Sequence, residues 1–249
     1  MSERRRHGGR NALLLVAALF ALWQAMYWAV GDAALSSPLA TLRYTANLVT
    51  GENFRMHLFD TMRAFAIAFV LSVVIGLLVG FWLGFDRLSG DALEPMIVTV
   101  YAIPKLTLYP ILLLAFGLGL SAKVAFGVLH GTIPIILFTL GAVRNTKPIL
   151  LKTGHVLKLS RPQMVRWILF PAAIPEIFTG LRVGFSLTLI GSLLAEMFAS
   201  QRGLGYLLMN GIGLHNIELV MSVTLLIVVF AASVSTLLLH IDRRLHRQE

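Results

Sequence analysis

Long apolar runs alternate with shorter polar stretches along the chain. The apolar runs cover residues 11–30, 63–85, 96–116, 122–143, 177–199 and 217–240. A helix of about 20 residues crosses the hydrocarbon core of a bilayer, and each run has roughly that length. The pattern therefore predicts an all-α membrane protein with about six transmembrane helices and polar connections at the two membrane faces.

The composition is typical of a chain that has lipid as its main solvent. Apolar residues make up 57% of the chain, charged residues only 13%, and the mean hydropathy is +0.80. The chain has no cysteine, which excludes disulfides, thiolate metal sites and thiol nucleophiles. Its seven histidines are scattered, with no pair four residues apart. We therefore expect no metal, no other cofactor and no enzyme active site.

The basic residues indicate how the predicted helices are oriented. With both termini in the cytoplasm, fourteen Lys and Arg residues lie on that side and five on the outer side, in agreement with the positive-inside rule. These charges sit at the ends of apolar runs, so no nucleic-acid surface is expected. The predicted units are a basic cytoplasmic N-terminus (1–10), a first transmembrane helix (11–30), an external segment (31–60), a five-helix core (61–240) with a cytoplasmic loop (144–175), and a basic cytoplasmic tail (241–249).

Three glycines in the second apolar run repeat every four residues. Gly76, Gly80 and Gly84 therefore lie on one face of the predicted helix. On that face another backbone can approach closely, because glycine has no side chain. We interpret the three glycines as a helix-packing surface in preference to a substrate site.

Two ionisable residues inside the apolar runs are candidates for lining a translocation pathway. Lys105 lies between Pro104 and Pro110, and prolines are tolerated in a span where it faces protein or a water-filled cavity. Lys105 would either line the pathway and attract an anion or reach to the membrane interface. Glu196 would either act in a pathway or gate, or form an ion pair or hydrogen bond that fixes helix packing.

The polar stretch 144–175 contains the pattern of two short helices, the first of them amphipathic. The first opens at Pro148, since proline suits the first turn of a helix. Ser160 and Gln163 have the spacing of a capping box for the second, which we expect to end before Pro171. Such helices form either a docking surface for a motor protein or a layer held on anionic lipid by Lys and Arg. The residues alone favour neither interpretation.

The run LKTGHVLKLSRPQMVRWILFPAAIP, residues 151–175, resembles the cytoplasmic coupling loop of permease subunits of ATP-binding cassette (ABC) importers. In that family the loop starts with Glu-Ala-Ala, has a glycine four residues after the second alanine, and ends in Ile-x-x-Pro. Ile168 and Pro171 match its end, and Lys158 stands at the position of its glycine. The start departs from the family, since its three positions hold Lys152, Thr153 and Gly154.

The resemblance extends from about residue 57 to residue 208 and is closest to permeases for nitrate, sulfonates, taurine and related compounds. The matching stretches occur in the family's order: HLFDTMRAFAIAFVLSVVIGLLVGFWLG, AIPKLTLYPILLLAFGLGLSAKV, FPAAIPEIFTGLRVGFSLTLIGSLLAEM and GLGYLL. The resemblance implies a permease in a bacterial inner membrane that forms a translocation pathway by alternating access.

The resemblance also implies a subunit that does not hydrolyse ATP itself. Its partners would be cytoplasmic ATP-binding subunits, a second permease copy in a homodimer or heterodimer, an external substrate-binding protein and membrane lipid. The sequence contains no Gly-x-x-x-x-Gly-Lys-Ser/Thr phosphate loop, which agrees with this division of roles. The residues expected to form the ATPase-coupling loop are Lys152, Thr153, Gly154, Lys158, Leu159, Ser160, Arg161 and Pro171.

Two other classes of protein are compatible with the residues: a structural or assembly subunit of a membrane complex, and a stand-alone channel or secondary transporter. Secondary transporters are often built from inverted repeats, and no such repeat is visible in the sequence. Lys105 and the net charge of +9 favour anionic substrates such as sulfonates, nitrate or carboxylates.

Overall fold

The computed structural model describes residues 2–245, with side chains in 14–160 and 162–242. The ends of the predicted N-terminus and tail, residue 1 and residues 246–249, lie outside this range. The described residues contain no strand, and the predicted all-α class is confirmed. In chain order the helices are α1 (Ser2–Val30), α2 (Pro38–Thr50), α3 (Glu52–Phe85), α4 (Arg87–Ala102), α5 (Tyr109–Phe116), α6 (Leu120–Arg144), α7 (Pro148–Val156), α8 (Arg161–Met164), α9 (Phe170–Ala199), α10 (Leu204–Gly213) and α11 (Ile217–Leu245).

The number of spans is close to the prediction but differs in detail. Within the described residues, four helices are long and apolar enough to cross a membrane: Glu52–Phe85, Leu120–Arg144, Pro162–Ala199 and Ile217–Asp242. A fifth crossing exists if α4 and the segment Lys105–Phe116 together form one span. The first predicted span lies within α1, of which the structure describes the apolar part Leu14–Val30 with side chains. The second is longer than predicted, because residues 52–60 of the expected external segment already belong to α3.

The third predicted span is broken at a right angle. α4 ends at Ala102, a 3₁₀ turn covers Lys105–Leu108, and the axes on the two sides of the break differ by 90°. Ile103 and Pro104 have extended backbone angles. Proline has no N–H to donate and disfavours helix at the residue before it, which explains the end of α4. Pro104 therefore lies at a full break of the run, whereas Pro110 lies in the first turn of α5.

The core of the molecule is the contact of α3, α6 and α9. The glycines of α3 face a row on α6 with the same four-residue spacing: Ile135, Thr139 and Val143. A Cβ atom on Gly76 or Gly80 would lie 2.6 Å from a side-chain carbon of that row, and one on Gly84 would lie 2.7 Å from it. These separations are shorter than the contact distance of two carbon atoms. The two helices can approach this closely only because the glycines present bare backbone.

Ile135 links this contact to the third helix. The side chain is fully buried and lies between Gly76 of α3 and Gly184 of α9. A Cβ atom on Gly184 would lie 2.6 Å from Cγ1 of Ile135. One branched side chain thus fills the space between two bare backbone surfaces, and the three helices form a single packing unit.

Ion pairs join further helices to this unit at one end. Arg144, at the end of α6, pairs with Asp91 at 2.8 Å and Glu94 at 3.0 Å, both on α4. Arg182 of α9 pairs with Asp242 of α11 at 3.6 Å. We call this the α7 end, because α7 and α8 follow α6 there. The opposite α10 end holds α2, α10 and the start of α3 and α11, which share an apolar cluster.

Replacing Gly80 with alanine tests the close approach of α3 and α6. The new Cβ would lie 2.6 Å from Cβ of Thr139, and overpacking of this kind costs about 1–3 kcal/mol. Gly213→Ala is the matched control, since no atom lies within 4 Å of its new Cβ. We expect thermal unfolding in detergent to show a lower midpoint for Gly80→Ala only. Equal midpoints would contradict the packing role of the glycines.

Candidate functional site

The segment between α6 and α9 continues into the membrane-spanning helix without a stop. Residues Pro162–Ala199 form one helical run of 38 residues, so the prediction that the second short helix ends before Pro171 is wrong. Pro171 lies in the first turn of α9, directly after a π-helical turn at Val165–Leu169. In that turn the Phe170 N–H donates to the Val165 carbonyl. The wider bonding pattern accommodates a residue that has no N–H of its own.

α7 ends in a tight turn centred on Lys158. The Lys158 N–H donates to the His155 carbonyl and the Leu159 N–H donates to the Gly154 carbonyl, each at 3.0 Å. Lys158 has a φ angle of +51°, a left-handed conformation that glycine adopts at the lowest cost. The left-handed backbone at this position explains why the coupling-loop pattern has a glycine there. Lys158 adopts this conformation here without being a glycine.

Gly154 is buried and sets how the two parts of the segment cross. A Cβ atom there would collide with the Met164 side chain and lie 2.8 Å from Cδ1 of Ile168. α7 therefore packs directly on the helical run that leads into α9. The start of that run is fixed by Gln163, whose Oε1 accepts from the N–H and from the hydroxyl of Ser160, both at 2.9 Å.

Much of the apolar and basic surface of this segment is exposed. Val156 is 81% exposed, and Leu157 and Trp167 are 64% and 65% exposed. Of the predicted coupling residues, Gly154 is buried, Leu159 is half-buried, the side chain of Arg161 lies outside the described residues, and the exposed ones are Lys152, Thr153, Lys158, Ser160 and Pro171. We define the coupling surface as the exposed side chains of Lys152, Val156, Leu157, Lys158 and Trp167.

Glu196 lies near the end of α9, completely buried, with its carboxylate bonded on several sides. It accepts from the Thr61 hydroxyl at 2.8 Å and from the Gly205 N–H at 3.1 Å, and it pairs with Lys123 Nζ at 3.3 Å. Lys123 is only 5% exposed and also donates to the Arg202 carbonyl at 2.6 Å. A buried charge is stable when it is paired and hydrogen-bonded, so this geometry favours the packing interpretation of Glu196.

Lys123 is the partner of Glu196 that sequence reasoning missed. The sequence analysis counts Lys123 among the basic residues of the outer side and assigns Glu196 no partner. The two residues are 73 positions apart, so only the packing of α6 on α9 brings them together. The one available signal is the position of Lys123 in the first turns of an apolar helix, where a lysine is costly unless it is paired.

The loop between α9 and α10 wraps around this ion pair. Gly203 has a φ angle of +119°, and a Cβ atom there would collide with the Glu196 carboxylate. The Gly203 N–H donates to His57 Nδ1 at 3.0 Å, and the Leu204 N–H donates to the Thr61 hydroxyl at 2.8 Å. The loop is thereby bonded to α3 as well as to the ion pair. We call these residues, with Lys123 and Glu196, the Glu196 cluster.

Lys105 is half-buried at the right-angled break. Its Nζ donates to the Tyr101 carbonyl at 3.1 Å and lies 4.6 Å from the centre of the Tyr101 ring. It therefore bonds one of the free carbonyls at the end of α4. No carboxylate pairs with it among the described residues. Among all the residues that the structure describes, no group of three His, Asp or Glu side chains could hold a metal ion.

Comparison with known proteins assigns the chain to a family. Residues 72–247 match the family described as binding-protein-dependent transport system inner membrane component. The chain belongs to this family. An ABC transporter permease protein of Haemophilus influenzae is 29% identical, over 94% of this chain and 95% of that protein. An aliphatic sulfonate transport permease of Bacillus subtilis is 27% identical over 83% and 76% of the two chains, and a nitrate import permease of Synechocystis is 28% identical over 77% and 72%.

Solved structures share the fold of this permease. A methionine ABC transporter in inward-facing conformations has a TM-score of 0.66 at 18% identity, with 79% of this chain and 99% of that chain covered. An amino acid ABC transporter has a TM-score of 0.63 at 17% identity, with 83% and 97% covered. The fold and the family membership together identify the chain as a permease subunit of an ABC importer.

Replacing Glu196 with glutamine should destabilise the permease, because Lys123 then keeps a buried charge without a counterion. Removing one partner of a buried ion pair costs about 3–5 kcal/mol. Adding Lys123→Met should recover part of this loss, since the uncompensated charge disappears. Thermal unfolding of the purified permease measures both variants. Glu218→Gln, on the exposed first turn of α11, is the control. A Glu196→Gln protein as stable as this control would contradict the role of the pair.

Proposed function

We propose that cytoplasmic ATP-binding subunits dock on the coupling surface and switch this permease between outward-open and inward-open states. The observation that carries the proposal is the helical run Pro162–Ala199, which starts beside the coupling surface and ends beside the Glu196 cluster. At the usual helical rise, its 38 residues extend about 57 Å. A displacement applied at its start is therefore transmitted to the far end of the bundle through one element.

The docking role also rests on how α7 is attached. Gly154 lets α7 pack on Met164 and Ile168, which belong to the run that becomes α9. A subunit that pushes on α7 would therefore push on α9. Exposed Val156 and Leu157 provide the apolar contact. The alternative, in which these residues rest on lipid headgroups, gives no use to such a rigid connection.

The charges support an orientation of the permease in the membrane. We place the α7 end in the cytoplasm and the α10 end outside, with both termini cytoplasmic, because this arrangement puts most Lys and Arg residues inside. An external substrate-binding protein would then deliver its ligand at the α10 end. The ATP-binding subunits would act at the α7 end.

A second permease copy, identical or different, would complete the pathway. Leu114 and Leu118, after the break, are 89% and 79% exposed. Lys105 is costly against lipid, because a charged group in the hydrocarbon region needs water or a partner. A second copy that covers this face would place Lys105 at a water-filled pathway, where it would attract anions. The nitrate and aliphatic sulfonate relatives agree with an anionic substrate.

Affinity purification of the tagged permease in mild detergent tests the assembly. We expect a stoichiometric subunit with a phosphate-loop motif to co-elute and to be identified by mass spectrometry. The same experiment tells whether the second permease copy is identical or different. An intact, folded permease that elutes without an ATP-binding subunit would contradict the proposed assembly.

Charge reversal tests the docking site. Lys152→Glu combined with Lys158→Glu, both in the coupling surface, should lower substrate-stimulated ATP turnover in the reconstituted complex by about tenfold, which corresponds to about 1.4 kcal/mol of lost interaction. Arg87→Glu is the control, because Arg87 is exposed at the same end of the bundle and lies outside the coupling surface. Unchanged turnover in the double variant, or an equal loss in the control, would lead us to abandon this docking site.

A further inference from the structure

A cavity of about 620 Å³ opens at the α10 end, beside the Glu196 cluster, and charged and apolar side chains both line it. It lies between α3, the start of α6 and the loop that follows α9. The polar and charged side chains that line it are Asp60, Arg63, Lys123, Ser200, Gln201 and Arg202. The family assignment and the proposed docking site make no use of this cavity.

The charge of the cavity is positive. Arg63 and Arg202 are exposed, and neither guanidinium forms an ion pair within the described part of the chain. Glu196 balances the charge of Lys123. Of the other lining residues, Arg63 and Arg202 are positive and Asp60 is negative, so the net charge of the cavity is positive. Both guanidinium groups remain available to bind a ligand.

The cavity is partly organised in advance. Lys123 Nζ holds the Arg202 carbonyl at 2.6 Å, and the Ser200 hydroxyl donates to the same carbonyl at 2.6 Å. The Arg202 N–H donates back to the Ser200 hydroxyl at 3.1 Å. The backbone that carries one guanidinium is therefore fixed before any ligand arrives, which lowers the entropy cost of binding.

We infer that this cavity binds the anionic head of a small substrate, a carboxylate or sulfonate, before the substrate passes into the pathway. The guanidinium of arginine is planar and offers paired N–H donors that match two oxygens of such a group. The inference rests on the proposed function for its place in transport. The volume suits a small organic anion better than a protein surface, because the site is a recess with the buried Lys123 in its lining.

The test is the binding of defined anions to the full-length permease in discs of phosphatidylcholine. The probes are sodium methanesulfonate and sodium acetate, titrated against sodium chloride at equal ionic strength. A ligand that binds the folded protein raises the unfolding midpoint in a saturable way. In the natural protein we expect a saturable rise of the unfolding midpoint with at least one of the two probes and none with chloride.

The variants are Arg63→Gln and Arg202→Gln, with Arg55→Gln as the matched control. Arg55 is an exposed arginine on the same helix as Arg63, outside the cavity lining. Each of the first two variants should weaken binding by about tenfold or more, as expected for the loss of one charge-assisted contact, and the control should bind like the natural protein. Unchanged binding in the Arg63→Gln, Arg202→Gln double variant, or an equal loss in Arg55→Gln, would overturn the inference. So would a natural protein that responds to neither probe, or to chloride equally.

Discs that contain phosphatidylglycerol separate a soluble anion from a lipid headgroup, since both carry oxyanions. A site for a soluble substrate keeps its response in these discs, whereas loss of the response would overturn the assignment to a substrate. This experiment uses the permease alone. If the natural permease binds neither anion but still co-purifies with ATP-binding subunits, this inference is overturned and the proposed function is left intact.

Discussion

Bare backbone at the contacts of α3, α6 and α9 is the constraint on which the rest of this structure depends. Lipid is as apolar as a leucine side chain, so no hydrophobic force drives these helices together and close van der Waals packing must do so. Gly76 and Gly184 allow it by enclosing Ile135 from two sides. The position of α6 relative to α9 follows from this contact, and the two regions for which a function is proposed lie at the two ends of these helices.

The Glu196 cluster depends on that packing. Lys123 and Glu196 lie on α6 and α9 and meet at 3.3 Å at the α10 end of the bundle. Neither charge would be tolerated in a buried site without the other. The loop that follows α9 adds backbone N–H groups to the cluster through Gly203, Leu204 and Gly205. The ion pair therefore also holds the backbone of the proposed anion cavity in place.

The two ends of the molecule are joined by α9 and the helical segment before it. The π-helical turn allows this run to pass Pro171 without a break, so the coupling surface and the Glu196 cluster lie at opposite ends of one helix. The proposed coupling between the two ends would use this run as its route. The same run receives α7 through Gly154, which adds the exposed coupling surface to its start.

The sequence by itself determined the all-α membrane class, most of the spans, the packing face of Gly76, Gly80 and Gly84, and the segment that contains the coupling surface. These features are local, because length, periodicity and residue type within a single helix encode them. Only the tertiary structure decided the Lys123 partner of Glu196, the right-angled break before Lys105 and the continuous helix through Pro171. The ion pair joins residues 73 positions apart, and the break and the continuous helix are two outcomes of similar proline-containing sequence. The residue before Pro104 is extended and the helix ends there, whereas a π-helical turn before Pro171 lets the helix continue. This difference lies in the backbone geometry, which the residue types alone do not specify.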